Sequence, residues 1–306
     1  MLPFPVFAHV APTSVSAAVA AIASPGARVV AGGTDLLPSM KHRLFEPTLL
    51  VSTRRIAGLR DVGRADVGGM WLGSGLTLRE VSRLPEVKAE YPGLVAACRS
   101  VATPTIQAMA TLGGNVLLDT RCMYYNQPQG WREALGGCLK KDGSVCHVAP
   151  RGRGCYATCS ADTVPTLVLL GAEVELVSTR AVRRVPVAEL YREDGIAPIR
   201  MEPDELLTRV WLPRSAGATV HRKLRPRQAI DYAQLLVAAG GQKGAYTVVL
   251  GAVTSSPVRV SGADAEAVAE AAWRAVQPLA TQLSAATWRK KMVRVETRRA
   301  VEALGS

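Results

Sequence analysis

The chain is poor in several things. Aromatic residues make up only 5% of its 306 positions, and no block of basic residues is interleaved with them. Nucleic-acid binding, which needs a basic face with stacking platforms, is therefore excluded despite a formal net charge of +12. No apolar run reaches the length of a membrane span, and the N-terminus MLPFPVFAHVAPTS lacks a basic segment followed by an apolar one. A cytoplasmic protein without a membrane span or signal peptide is expected. Internal repeats and low-complexity tracts are absent too, as are G-x-G-x-x-G and a Gly-Lys-Ser/Thr phosphate loop, which disfavours a Rossmann dinucleotide site and a P-loop nucleotidase. The C-x2-C pairs of zinc ribbons are also missing.

What is present is 48% hydrophobic residues, enough for a buried core and more than one subdomain. Most of the positive charge is arginine spread along the chain, which suits an acidic protein partner or a phosphate-bearing ligand. Ser14–Ala23 is an Ala-rich run behind a capping Ser, Arg28–Pro38 is a short β run broken by two glycines, and Thr48–Thr53 is a second strand. Met70–Leu84 reads as strand, turn and Thr-capped helix, and Glu173–Ser178 and Leu206–Pro213 as strands. After an Arg214–Ala218 linker come two strand-like runs, QLLVAAG and YTVVLGAV, and two helical segments, Ala263–Val276 and Ser284–Leu304. The last should set Met292, Val295, Val301 and Leu304 on a packed stripe, with Lys290, Lys291, Arg294 and Arg298 on a solvated face. The pattern predicts an α+β protein with domains at 1–55, 56–214 and 215–306.

Two glycine pairs carry the chemistry. In AGGTD, Gly32 and Gly33 sit where a strand turns into a helix, and glycine there lets backbone N–H groups approach an anion. The same pair is also compatible with an ordinary turn. A second pair, Gly113 and Gly114 in TLGGN, together with Thr34, Thr111 and Asn115, suits a long diphosphate cofactor held between two subdomains.

The ordered set VVAGGTDLLP, ATPTIQAMATLGGN, SADTVPTLVLLGA, PDELLTRVWLP, KLRPRQAIDYA and SAATWRKKMVRVETRRAVEAL resembles, over nearly the whole chain, the FAD-binding medium subunits of the molybdenum hydroxylase (xanthine oxidase) family. The resemblance implies an FAD-binding fold of the vanillyl-alcohol oxidase (PCMH) type, in two α/β subdomains, followed by a C-terminal α+β domain of the CO dehydrogenase flavoprotein type. Carried over by motif, the FAD contacts fall on Val29, Val30, Ala31, Gly32, Gly33, Thr34, Asp35 and Leu36, then on Thr111, Leu112, Gly113, Gly114 and Asn115, both loops on the pyrophosphate. Val101, Asp162, Leu206 and Lys223 match positions that touch the flavin or adenosine parts. One departure is Ile106-Gln107, where the family often has Ile-Arg.

Between about 119 and 160 an insert interrupts this pattern. It holds Cys122, Cys138, Cys146 and Cys155, spaced C-x15-C-x7-C-x8-C, with Cys159 three residues further. A reducing compartment argues against disulfides and for metal or redox chemistry. A loop-like segment of this length needs a metal centre to order it, and Arg121, Arg132, Lys140, Lys141, Arg151 and Arg153 outnumber Asp119, Glu133 and Asp142, which suits an anionic iron–sulfur cluster. A zinc site and unconnected thiols stay open, as does Cys159 in place of Cys155; His147 reads as a neighbour and Cys98 as a core residue.

Within the family, an insert at this place resembles that of the 4-hydroxybenzoyl-CoA reductase β subunits. That resemblance implies a [4Fe–4S] cluster on Cys122, Cys138, Cys146 and Cys155, and a dimer of heterotrimers with a [2Fe–2S] small subunit and a large subunit carrying the molybdenum cofactor. It further implies reduced ferredoxin as electron donor and 4-hydroxybenzoyl-CoA as substrate on the large subunit. No residue of this chain would then be a catalytic acid or base; the chain would conduct electrons. A flavin subunit of another molybdenum hydroxylase acting on a different aromatic substrate, and a zinc-stabilised scaffold without redox function, are the alternatives.

Overall fold

A computed structural model describes residues 2–65, 68–214, 217–227 and 229–305. Of the expected Arg214–Ala218 linker, Ser215 and Ala216 lie outside the described residues, as does Gln228 of KLRPRQAIDYA. The architecture is mixed α+β, with three sheets in chain order.

The first sheet is parallel, with strands β1 (Ala8–Val10), β2 (Ala27–Val30) and β3 (Leu49–Ser52) in the order β1-β3-β2. Helix α1 (Val15–Ile22) forms because Ser14 caps it, accepting from the Ala17 N–H at 3.2 Å, and because Ala18, Val19 and Ile22 bury one stripe against the sheet. β2 stops at Val30, before the glycines, and helix α2 (Leu36–Lys41) begins directly after the turn.

The second sheet is antiparallel throughout its printed pairings, with β4 (Val62–Arg64), β5 (Met70–Gly73), β6 (Glu173–Val177), β7 (Val182–Pro186) and β8 (Leu206–Leu212) in the order β4-β5-β8-β6-β7. Between β5 and β6 the chain makes α3 (Leu78–Val81), α4 (Pro85–Glu90), α5 (Pro92–Ser100), α6 (Pro104–Gln107), α7 (Leu112–Val116), α8 (Gln129–Ala134) and α9 (Val164–Leu169); α10 (Val187–Leu190) follows β7. Thr77 and Glu80 close a full capping box on α3. One core holds Leu72, Leu78, Leu94, Leu112, Leu167 and Val210 under the inner face of the sheet.

The third sheet is antiparallel, with β9 (Thr219–Leu224), β10 (Leu235–Gln242), β11 (Ala245–Gly251) and β12 (Val258–Gly262) in the order β12-β11-β10-β9. Helices α11 (Ala265–Ala275) and α12 (Ala286–Glu302) pack on it. The buried face of α12 takes in part of the expected stripe, with Val301 buried and Met292 and Leu304 packed half-buried against the same core, and adds Arg289, Val293, Glu296, Thr297 and Ala300. The basic residues also do more than face solvent. Arg294 pairs with Glu270, Arg298 reaches Glu266 at 3.9 Å, and Lys290 donates to the Trp273 and Val276 carbonyls, because α11 presents its acidic side to α12. Arg289 is fully buried and donates to the carbonyls of Gln234, Leu279 and Ala252, fixing the 279–281 segment. The Thr281 carbonyl then accepts from the Met123 N–H at 2.8 Å and anchors the cysteine insert. Among the described residues no helix is long and apolar enough to cross a membrane.

Candidate functional site

A cavity of about 430 Å³ opens where the three sheets meet. Its wall collects the turn after β2 (Ala31–Leu36), the start of α7 (Thr111, Gly113, Gly114, Asn115), and Val29, Val101, Asp162, Leu206 and Lys223. Val30 and Leu112 do not line it. Leu112 is fully buried in the core of the second sheet, and Val30 lies behind the turn against Gly33.

The two glycine segments do different things. Gly33 has φ +69, a conformation that favours glycine, and a Cβ on Gly32 would lie 1.9 Å from the Met109 carbonyl oxygen. The N–H groups of Gly32, Gly33 and Thr34 donate to no acceptor among the described residues, so the first turn is a nest of available donors beside the cavity. The second segment is the first turn of a helix, and its donors are occupied. Leu112 N–H donates to Leu76 O at 2.8 Å, Gly113 N–H to Ser74 O at 2.9 Å, and Gly114 N–H to the Thr111 Oγ1 cap at 3.1 Å. Glycine is needed there for close approach, since a Cβ on Gly113 would stand 2.8 Å from Ser74 Cβ. The side-chain oxygen of Asn115 is taken by Thr163, accepting from its N–H at 3.0 Å and its hydroxyl at 2.7 Å. Gln107, at the position where the sequence departs from the family, donates to the carbonyls of Arg99 and Val101 and so shapes the wall at Val101.

At the opposite side Lys223 Nζ lies 2.6 Å from Asp162 Oδ1, with both side chains buried. Burial holds the Asp162 carboxyl above its usual range even against the pull of Lys223. Behind the pair, His221 stands 3.2 Å from Thr166 Oγ1 and 3.4 Å from Ser100 Oγ; burial, then Lys223, depress it to about 3. At the rim, Ala102 (φ 38) and Ile230 (φ 53) both hold left-handed backbone and are joined by Ile230 N–H to Ala102 O at 3.3 Å. Arg28, Phe45, Asp119, Ile230, Asp231 and Tyr232 also line the cavity and were not anticipated. The last three fall in KLRPRQAIDYA and Arg28 opens the run Arg28–Pro38, so these had a signal, whereas Phe45 lies outside the motifs and Asp119 stood only among the charges of the insert.

A second, smaller cavity lies in the insert. Cys122, Cys138, Cys146 and Cys155 all line it, each nearly buried, together with Tyr125, Lys140 and His147. Burial pushes the Cys122 thiol up to about 11 and raises Cys155. Cys159 is elsewhere: it packs in the core of the second sheet, and its backbone bonds to Thr254 O and Ala252 N–H. Cys98 is fully buried in that core, and all six cysteines are unpaired. His147 donates from Nε2 to Gly137 O at 2.6 Å. Among the described residues no group of three or more His, Cys, Asp or Glu could hold a metal ion as placed.

The basic residues of the insert are mostly engaged. Arg121 pairs with Asp35, and Arg132 is buried and donates to the carbonyls of His42, Gln127 and Arg43. Arg151 and Arg153 are exposed, and among the described residues Lys140 is the one lysine or arginine lining the four-cysteine cavity.

With this geometry in hand, residues 5–215 match the family described as the FAD binding domain in molybdopterin dehydrogenase. The chain belongs to that family. It is an FAD-binding medium subunit of the molybdenum hydroxylases. Its sequence is 33% identical over 265 residues, 83% of this chain and 83% of the relative, to the aldehyde oxidoreductase FAD-binding subunit PaoB of Escherichia coli K12. Its fold is that of a chain of quinoline 2-oxidoreductase from Pseudomonas putida 86, with a TM-score of 0.79 and 23% identity over 99% of this chain and 98% of that one. A carbon monoxide dehydrogenase chain from Hydrogenophaga pseudoflava gives 0.78 and 22%, with the same coverage.

Proposed function

We propose that this chain is a two-centre electron conduit of a molybdenum hydroxylase assembly, carrying FAD in the larger cavity and a [4Fe–4S] cluster on Cys122, Cys138, Cys146 and Cys155. The observation that carries the reading is the convergence of these four thiols on one cavity beside the FAD-binding one. For FAD, the first glycine turn supplies the anion site: the Gly32, Gly33 and Thr34 N–H groups take the pyrophosphate, while α7 gives a bare wall at Gly114. Arg28, Asp162 and Lys223 offer polar contacts to the rest of the cofactor. When bound, FAD accepts and releases electrons singly or in pairs, and the cluster singly. The protein positions both and excludes water.

The partners are a large subunit carrying the molybdenum cofactor and a [2Fe–2S] small subunit, the substrate being bound by the former. The likeness to the E. coli subunit supports an aldehyde as substrate, with electrons leaving through this chain. A second reading rests on the cysteine insert: 4-hydroxybenzoyl-CoA reduced to benzoyl-CoA, with ferredoxin delivering electrons to the cluster in the cytoplasm. Anaerobic purification of the complex followed by flavin, iron, zinc and acid-labile sulfide analysis tests the conduit. Flavin, with the iron and sulfide beyond that of the [2Fe–2S] subunit lost in Cys146→Ser, supports it, whereas zinc, or iron indifferent to that substitution, refutes it. Aldehyde oxidation against benzoyl-CoA formation by the complex separates the two substrates.

A further inference from the structure

The two cavities share a wall. Asp119 lines the flavin cavity, and Tyr125 and Lys140 line the four-cysteine cavity. Lys140 Nζ donates to Asp119 Oδ1 at 2.6 Å, and the Tyr125 hydroxyl donates to Asp119 Oδ2 at 2.9 Å. The ammonium also donates to Gly195 O at 2.8 Å and to Thr120 Oγ1, and stands 4.5 Å from the Tyr125 ring centre. With 5% of the Lys140 side chain and 23% of Asp119 exposed, neither charge is free to reorient or fully screened by solvent.

This pair differs from the other carboxylates of the flavin cavity. Asp35, Glu205 and Asp231 pair with Arg121, Arg183 and Arg227, which line neither cavity, and Asp162 pairs with Lys223 inside the same one. Among the described residues only Asp119 has its hydrogen-bonded cation in the second cavity, although Arg28, on the flavin side, also lies within reach of its charge. The pair is thus an oriented dipole, negative towards the flavin and positive towards the thiols.

A fixed negative charge opposes electron addition to its neighbour, and a fixed positive charge favours it; inside a protein the attenuation is much weaker than in water. Because the two charges are paired, their distant field cancels and each centre feels mainly the nearer end. We propose that Asp119 and Lys140 are positioning residues that set the difference in reduction potential between the two centres, lowering the flavin and raising the iron–sulfur centre. The dipole then favours transfer of one electron from reduced flavin, which is oxidised, to the oxidised centre, which is reduced; no further reactant enters. This sense is outward, opposite to that implied by a ferredoxin-driven reductase. The inference rests on the two-centre reading.

The test is potentiometric titration of the whole complex, with flavin followed by absorbance and the iron–sulfur centre by electron paramagnetic resonance. Lys140→Met should lower the centre more than the flavin, and Asp119→Asn should raise the flavin more than the centre. Each should change the equilibrium sharing of one electron between the centres at least tenfold, about 59 mV. Lys140→Arg should leave both near wild type. The double variant Lys140→Met/Asp119→Asn strands no buried charge, so it serves where a single variant does not fold; it should raise the flavin and lower the centre. Unmoved potentials, or shifts of the same sign in the two single variants, overturn the proposal. A complex whose resonances are those of the [2Fe–2S] subunit alone, with no further iron–sulfur signal, refutes the two-centre reading instead. The flavin arm still decides, because an unchanged flavin potential in Asp119→Asn overturns the dipole by itself.

Discussion

Replacing Gly32 by alanine is the sharpest test of the flavin site. The added Cβ would stand 1.9 Å from Met109 O and 2.6 Å from Met109 C, against 3.4 Å for ordinary contact. The opposing backbone cannot easily yield, since Met109 and Ala110 N–H both bond to Ile106 O and Ala110 O accepts from Leu78 N–H at 2.9 Å. The first turn must therefore move by more than an ångström, carrying the Gly32, Gly33 and Thr34 donors with it. Overpacking of this kind costs about 1–3 kcal/mol, a fall of several degrees in Tm. Losing even one hydrogen bond to a charged group costs about 1.5–3 kcal/mol, so FAD should bind roughly tenfold or more weakly. The assay is the FAD-to-protein ratio after extensive dialysis, with thermal unfolding alongside. Gly130→Ala is the control, because nothing lies within 4 Å of its Cβ position and it sits in a helix. Wild-type FAD retention and Tm in Gly32→Ala would refute the reasoning.

Two further expectations concern the neighbouring structure. A Cβ on Gly195 would come within 2.7 Å of Cys155 Sγ and 2.6 Å of Cys155 O, so Gly195→Ala should lower the iron content while FAD stays at the wild-type ratio; loss of both in equal measure would contradict the assignment of Cys155. His221, held near 3 against an ordinary 6.5, stays neutral in the folded chain while the unfolded chain takes up a proton. Its contribution is complete above pH 6.5 and is lost as pH falls towards 3, on the order of 1–2 kcal/mol by pH 5. Urea unfolding at pH 7 and pH 5 should show a smaller acid penalty for His221→Asn than for wild type, and equal penalties would exclude this origin.

Several features were legible because their causes are local. Ser14 and Thr77 cap the helices expected behind them, each with its own side-chain hydroxyl, and β5, β6, β8, β10 and β11 fall on the apolar runs that marked them. β7 was missed because VRRVP is mostly exposed on an edge strand and carries no apolar alternation. The stripe of α12 was legible in Met292, Val301 and Leu304, but the buried Arg289 beside it was not, because an arginine satisfied by three carbonyls occupies a position that hydropathy assigns to solvent.

The sequence by itself determined the local elements, the glycine pair at the strand-to-helix turn, and the supply of thiols in one insert. Those follow from caps, periodicity and residue type within a few positions. The tertiary structure alone decided which groups meet. β5 pairs with β8, joining Met70 to Leu212 across the intervening chain, and Cys155 rather than Cys159 reaches the cysteine cavity. It also decided that the donors of the second glycine segment are spent on Leu76, Ser74 and Thr111, and that Lys140 faces Asp119 through a shared wall. Spacing along a chain fixes neither direction nor distance between loops. Those are set only when sheets close and buried polar groups must find their partners.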